Sequence, residues 1–284
     1  MKVQLSQPTT ATAASLPEIV DLLDRVFPSS RLRAPDLEWQ YLRNPAGAAR
    51  YVNAYTESGR LVAHYAVLPT PPLAEPPAAF IGTYFSLNTA VDPAAGVPGL
   101  MVATARGLFR QLEKEGPTLV LGVANENSFQ GFVRVLGFHH VGRLSLTLHA
   151  PGTMPAVRAP RALATNLAYL AWRAARPGVP TYAEPERGGV TVRLRHHGIP
   201  IDAVLSTGLR GDLARALELP RPATWAPRLY ASFGPSVGGV AVPDRLRPSP
   251  LQYIVRVLGG DPSAESIARH LATRRFEFLD FDVV

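Results

Sequence analysis

The chain has 284 residues, 46% hydrophobic and 18% charged, enough apolar material for one large core or two smaller ones and too much for global disorder. It contains no cysteine, which excludes disulfide scaffolds, thiolate metal sites and cysteine nucleophiles. The formal charge is +7, from 29 Lys and Arg against 22 Asp and Glu, with lysine only at Lys2 and Lys114. The arginines are scattered, with no block of five or more basic residues, so a solvated surface is expected rather than a nucleic-acid patch. The amino terminus lacks the compact apolar core of a signal peptide, and no apolar run reaches the roughly 18 residues of a membrane helix; a soluble, cytoplasmic protein with no membrane partner is expected.

Ser15-Leu16-Pro17-Glu18 has the spacing of a capping box, and Ile19, Leu22, Leu23 and Val26 give the helix that follows one apolar face, ended by Pro28. A short helix in Asp36 to Gly47 carries Trp39 and Leu42 and stops at Asn44-Pro45. Arg50 to Thr56 and Leu61 to Leu68 flank the turn Glu57-Ser58-Gly59-Arg60 and predict a β-hairpin. A proline-rich loop, Pro69 to Pro77, comes next. Phe80 to Val91 reads as a strand with one oily face and a polar face of Gly82, Tyr84, Ser86, Asn88 and Ala90. It runs into Asp92-Pro93-Ala94-Ala95-Gly96-Val97-Pro98-Gly99 and then a helix through Leu100, Met101, Ala105, Leu108 and Leu112, terminated by Gly116.

Thr118 to Ala124 is a short continuous apolar run, as in a buried central strand. Asn125-Glu126-Asn127-Ser128 caps a helix with Phe129, Phe132, Val133 and Leu136, stopped by Gly137, and His140 to His149 alternates as one strand. The proline-rich stretch 151–160 reads as a boundary between a unit of residues 1–150 and one of residues 151–284. In the second unit, helices are predicted at Leu163 to Ala175, Gly211 to Leu219 and Ser263 to Thr273. Its strands are predicted at Val190 to Arg195, Ile199 to Ser206, Arg228 to Phe233, Gln252 to Leu258 and Phe276 to Val283. No repeat marks it as a copy of the first, although a degenerate copy remains open.

A loop that leaves a strand and opens a helix points backbone N–H groups outward at the positive end of the helix dipole, where phosphate oxygens fit. Gly96-Val97-Pro98-Gly99-Leu100-Met101 is neither the G-x-G-x-x-G of dinucleotide folds nor the Lys-Ser/Thr loop of NTPases. On its own the glycine pair reads more readily as a tight turn.

The series from Ser15 to His149, about half the chain, resembles the GNAT superfamily of acyl-CoA-dependent N-acyltransferases. The resemblance rests on Thr89 to Pro93 followed by Gly96 to Met101, on the strand Leu119 to Asn125, on Ser128 to Leu136 and on the closing Gly137-Phe138. Trp39-x-Tyr41-x-x-Asn44-Pro45 and Asn125-x-x-Ser128 look like a bacterial subgroup with an extra carboxy-terminal region. The resemblance implies an α/β (α+β) fold: a mixed, mostly antiparallel sheet flanked by helices, followed by a second α/β domain. It implies acetyl-CoA or another acyl-CoA as cosubstrate, cradled by Ala90, Val91, Gly96, Val97, Gly99, Leu100, Met101, Asn125 and Ser128. Gly96 stands where the family has Gln or Arg, Met101 replaces a small residue, Pro98 lacks an N–H, and Val133 takes the place of the tyrosine that protonates the departing thiolate.

The implied chemistry is transfer of an acetyl or other short acyl group to a primary amine of a small molecule or peptide. The alternative is a catalytically silent GNAT-fold binding or assembly protein. Tyr84 is the candidate proton donor, or an aromatic packed under the proline loop; His64, with an ordinary pKa of about 6.5, is a candidate proton carrier or a structural histidine. Ser86 and Asn88 are candidate acceptor-binding residues. Asn125 can also simply cap its helix. Trp39, Tyr41, Trp172, Trp225 and Tyr230 are candidates for an apolar acceptor pocket or for core. The pairs His139-His140 and His196-His197 project to opposite faces, so no metal site is expected.

Overall fold

The computed structural model describes residues 2–28, 32–76, 79–196, 198–222, 226–233, 238–243, 250–260 and 263–280. Two short strands, β1 (Val3–Leu5) and β2 (Thr9–Thr10), precede helix α1 (Leu16–Val26), which buries Ile19, Leu22 and Leu23 as its periodicity predicts. The expected capping box does not form. Ser15 Oγ turns back on Thr12, donating to its carbonyl at 2.8 Å, and Glu18 reaches away from the helix to Tyr55 and Asn53. After α2 (Ala34–Leu42) the predicted hairpin appears as β3 (Arg50–Thr56) and β4 (Leu61–Pro69).

Strand β5 (Gly82–Val91) leads through the glycine loop into α3 (Leu100–Glu115), and β6 (Thr118–Ala124) lies parallel to β5. Helix α4 (Glu126–Gln130), capped by Asn125, runs on into a π-helical turn, 131–135. The single strand expected over His140 to His149 is two, β7 (His139–Arg143) and β8 (Ser145–His149), which break at Leu144 and enter different sheets. The Leu144 amide donates to the Leu251 carbonyl at 3.0 Å, so the chain changes sheet without leaving that amide unpaired.

The rest of the chain supplies α5 (Leu167–Ala174), β9 (Thr181–Glu184), β10 (Gly189–His196), β11 (Ile199–Ser206), α6 (Gly211–Ala216), β12 (Arg228–Phe233), β13 (Val240–Ala241), β14 (Gln252–Leu258), α7 (Ala264–Ala272) and β15 (Phe276–Glu277). The last strand is shorter than predicted, because residues 278–280 turn; residues 281–284 lie outside the described residues. One sheet has the order β1-β3-β4-β5-β6-β14-β7, with β2 on β3; the other runs β13-β8-β12-β11-β10-β9, with β15 on β12. The two sheets trade strands across residue 150. β8, before it, joins the second sheet, and β14, from far beyond it, fills the first sheet between β6 and β7.

Alternation along the strands of the first sheet builds two cores. Val120 and Ile254 face α3 with Val52, Tyr65, Leu108, Phe109 and Leu112. Leu119, Leu121, Tyr253 and Val255 face the other way, among residues of α1, α2, α5, α7 and the second sheet. There the rings of Tyr253 and Phe276 stack with centroids 4.4 Å apart, and Phe233 lies 5.3 Å from Tyr253. Behind them, buried Arg161 holds Glu277 at 2.5 Å and Asp280 at 2.7 Å, and Thr207 and Tyr230 donate to Glu277. Desolvation raises the Asp280 pKa against the pull of the guanidinium.

Helices α2 and α5 are joined by a reciprocal clasp. Trp39 and Trp172 stack at 4.8 Å; Trp39 Nε1 donates to the Trp172 carbonyl at 2.8 Å, and Trp172 Nε1 donates to the Trp39 carbonyl at 3.0 Å. Each indole thus satisfies a last-turn carbonyl of the other helix. Trp172→Phe keeps most of the stacking and leaves the Trp39 carbonyl without that donor, which is expected to cost about 1–3 kcal/mol in urea unfolding. A loss below a few tenths of a kcal/mol shows the clasp to be dispensable.

Candidate functional site

β5 and β6 pair in parallel only from Gly82↔Thr118 to Ser86↔Gly122. Beyond that point β5 bulges against β4, its register shifting between His64 and Ala66, and Asn88 takes the left-handed φ of +49°. Asparagine tolerates that conformation better than most residues. The strands part, and a cleft of about 470 Å³ opens between them, within the range of small-molecule sites. Its wall includes Ser86, Asn88 and Thr89 from β5, Gly122 and Val123 from β6, and Asn125, Asn127 and Ser128 just beyond. Phe27, Leu87, Val91, Met101, Phe132, Leu251 and Ile254 make it largely apolar.

The loop at the head of α3 is folded by its own side chains. Asp92 Oδ1 accepts from the Ala94 amide at 2.9 Å, and Gly96 (φ +61°) and Gly99 (φ +76°) take left-handed turns. Gly99 is the N-cap of α3, and the first amide to bond back into the helix is that of Ala103, to the Gly99 carbonyl at 2.9 Å. Among the described residues no hydrogen-bond acceptor meets the amides of Val97, Gly99, Leu100, Met101 or Val102. A Cβ added at Gly96 or Gly99 would meet nothing within 4 Å, so the space before these glycines is open. Unpaired N–H groups at the positive end of a long helix, in a loop with open space beside two of its α-carbons, fit the pyrophosphate of an acyl-CoA; Pro98 contributes none.

Asn125 caps α4, its Oδ1 accepting from the Ser128 amide and the Ser128 hydroxyl, both at 3.0 Å, while both side chains also line the cleft. Ala90 is buried, and Val91 and Met101 stand at the cleft's loop end. Ser86 and Asn88 line the wall, as the polar-face reading places them.

Tyr84 and His64 are placed elsewhere. Tyr84 sits where β5 is still closed on both sides, opposite Val120 and Pro69. Its ring folds over Gly82 and packs toward α3, with its hydroxyl beside Arg50, and it is not part of the cleft wall. His64 is fully buried. Its Nε2 lies 2.9 Å from the Tyr41 hydroxyl and its Nδ1 2.6 Å from Asn53 Oδ1. Burial pushes the imidazole pKa down to about 3, which corrects the reading of His64 as a proton carrier near neutral pH. Trp39, Tyr41, Trp172 and Tyr230 are likewise buried and form core rather than an acceptor pocket; Trp225 and His197 lie outside the described residues. Sequence reasoning missed Phe27 and Leu251, which reach the cleft from α1's end and from the approach to β14, and Gln40, which accepts from Asn88 Nδ2 at 2.6 Å.

A chain of buried and half-buried hydrogen bonds leads away from Asn88 in the cleft wall. Asn88 Nδ2 donates to the Tyr41 hydroxyl at 3.2 Å, Tyr41 and Asn53 flank His64, Asn53 Nδ2 donates to the Tyr55 hydroxyl at 2.9 Å, and Tyr55 donates to Glu18 at 2.6 Å. The Tyr55 hydroxyl is pushed up to about 12, first by burial and then by the Glu18 contact. Elsewhere, a hollow of about 440 Å³ in the second half is lined by Glu184, Arg187 and Arg228, but these are already spent on one another: Arg228 to Glu184 at 2.5 Å and Arg187 to Glu184 at 3.0 Å.

Because folded His64 binds its proton only near pH 3 whereas an unfolded histidine does so near 6.5, acidification favours the unfolded chain between those values. His64 should therefore contribute stability that is complete above about pH 6.5 and falls by at most about 1.4 kcal/mol per pH unit below it. In urea unfolding across pH 7 to 5, His64→Gln, which can still donate and accept, is expected to flatten that slope. An unchanged slope shows that other groups set it.

No family profile and no curated protein matches the sequence. Solved structures do match. A probable N-acyltransferase from Enterococcus faecalis V583 superposes with a TM-score of 0.56 at 11% identity, over 91% of this chain and 73% of that one. The GCN5-related N-acetyltransferase of Kribbella flavida gives 0.55 at 12% identity over 96% and 74%, and that of Anabaena variabilis ATCC 29413 gives 0.54 at 11% over 90% and 73%. At such identities the likeness speaks for architecture, and with the parted β5 and β6 and the glycine loop it shows that this chain has the GNAT fold.

Proposed function

We propose that the chain is an N-acyltransferase that moves an acetyl or other short acyl group from CoA to a primary amine of a small molecule or peptide. The observation that carries this reading is the set of unpaired amides of Val97, Gly99, Leu100, Met101 and Val102 at the head of α3, where Met101 lines a cleft opened by the parting of β5 and β6. The loop would hold the pyrophosphate, and Asn125, which lines the cleft, would bond the pantetheine arm. In the transfer, the amine nitrogen forms a bond to the thioester carbonyl carbon, the C–S bond breaks, the sulfur leaves as thiolate and the nitrogen releases a proton to water. Holding amine and thioester in line can supply roughly 7–11 kcal/mol of the barrier, so positioning alone supports a slow enzyme.

A second reading, a silent binding module of the same fold, is favoured by Val133 in the tyrosine's place and by a cleft wall that, among the described residues, bears only apolar and neutral polar side chains. Titration calorimetry with acetyl-CoA, followed by turnover across an amine panel, separates the two. Turnover supports the enzyme, binding without turnover supports the module, and no heat at millimolar acetyl-CoA with folded protein removes the enzyme.

Gly99→Asp is the sharper probe of the loop. Gly99 holds a left-handed φ of +76°, which strains any side chain, though aspartate less than most, so the variant is expected to stay folded and to melt a few degrees below the wild type. Its carboxylate competes for the same amides and repels pyrophosphate, and acetyl-CoA affinity should fall at least tenfold. Unchanged affinity places the cosubstrate elsewhere.

Turnover should also follow the acceptor's ionisation rather than the protein's. With His64 near 3 and outside the cleft, kcat/KM is expected to rise about tenfold per pH unit up to the pKa of each amine and then level off. A midpoint that stays fixed across amines of different pKa reveals a protein base instead.

A further inference from the structure

The hydrogen-bonded chain that leads away from Asn88 has a direction, and that direction determines which end of Asn88 meets a ligand. It begins at Glu18, whose carboxylate only accepts, taking hydrogen bonds from Tyr55 at 2.6 Å and from Asn53 Nδ2 at 3.3 Å. Asn53 therefore turns its Oδ1 to His64, and the 2.6 Å contact requires the proton on His64 Nδ1. The neutral imidazole then accepts at Nε2 from the Tyr41 hydroxyl at 2.9 Å, which leaves the Tyr41 oxygen to accept from Asn88 Nδ2 at 3.2 Å. Gln40 Oε1 takes the other Asn88 Nδ2 hydrogen at 2.6 Å. Both donors of Asn88 are spent inward, and its Oδ1, on a residue that lines the cleft, has no partner among the described residues.

We propose that Asn88 Oδ1 receives an N–H of the acceptor amine, and that the cleft thereby selects primary amines that enter uncharged and carry an apolar body, such as arylamines. This rests on the acyl-transfer reading and names its substrate class. One N–H given to Oδ1 leaves the nitrogen lone pair free to form the C–N bond; an ammonium has no lone pair and would lose its hydration against Phe27, Leu87, Val123 and Leu251. The proton released on C–N bond formation passes from the nitrogen to water as the thiolate departs. The backbone of Asn88, at φ +49°, fixes the amide where β5 begins to diverge, so the acceptor is held at the point where the two strands separate.

The test uses aniline and N,N-dimethylaniline, which share an apolar ring and differ in the N–H. Wild-type protein is expected to bind aniline roughly fivefold to tenfold more tightly than its dimethyl analogue, the effect of one hydrogen bond. Asn88→Gly, which suits the left-handed backbone, should erase that preference and raise the aniline KM by a similar factor while leaving acetyl-CoA affinity unchanged. A preference that survives in Asn88→Gly, or none in the wild type, overturns the proposal even if acetyl-CoA is bound and turned over. Conversely, failure of acetyl-CoA to bind overturns the transferase reading while the amine-binding arm still decides the role of Asn88. A second readout needs no variant: ¹⁵N spectra of His64 should show the proton on Nδ1. A proton on Nε2 would reverse every bond between His64 and Asn88, turn Nδ2 into the cleft and sink the inference.

Discussion

The separation of β5 from β6 after Ser86 and Gly122 is the constraint on which the rest of the site depends. A sheet gains by staying paired, so strands come apart only where another set of interactions meets the freed backbone and side chains. Here Asn88 leaves the regular strand conformation, and its side chain is drawn back by Gln40 and Tyr41. Gly122 marks the last position of β6 paired with β5; a Cβ there would approach Ile254 at 3.3 Å and Ser86 at 3.6 Å. Small on one strand and twisted on the other, the two sides open into a cavity that Met101, at the head of α3, borders.

The polar chain from Glu18 to Asn88 buries groups that would destabilise the fold if any one lost its partner. Each is satisfied except the Asn88 Oδ1 at the cleft, and a one-way order of donors runs through the set. That order makes the network specific as well as stable, since inverting one amide or one imidazole tautomer would leave two donors or two acceptors facing each other. The clasp of Trp39 and Trp172 acts from the same helix: Trp39, Gln40 and Tyr41 lie side by side on α2, so the element that joins the two halves is also the one that braces Asn88.

Much of this architecture was legible along the chain. The hairpin, the strand before the glycine loop, the helix from Leu100 to Gly116 and the apolar strand Thr118 to Ala124 are encoded by local periodicity and by the residues that stop each element. Asn125 as a cap was equally readable. What escaped is long-range. Glu18 has the spacing of a capping box, yet its carboxylate serves Tyr55, a strand away. His64 looks like a neutral-pH proton carrier until its burial is known, and alternation along β5 cannot show that Tyr84 lies under the closed part of the sheet while Asn88 lies at its opening. The break at Leu144, where one alternating segment serves two sheets, has no local signal beyond a glycine and an arginine before it.

The placement of β14 has a bearing on synthesis. The slot between β6 and β7 is filled by a strand made more than a hundred positions later, so a nascent chain emerging from the ribosome must hold Leu119, Leu121 and the edge of β7 uncovered until Leu258 has cleared the exit tunnel. Throughout that interval an unpaired apolar edge is open to mispairing with neighbouring polypeptides. Early chain termination would leave the first sheet with a vacant position between β6 and β7.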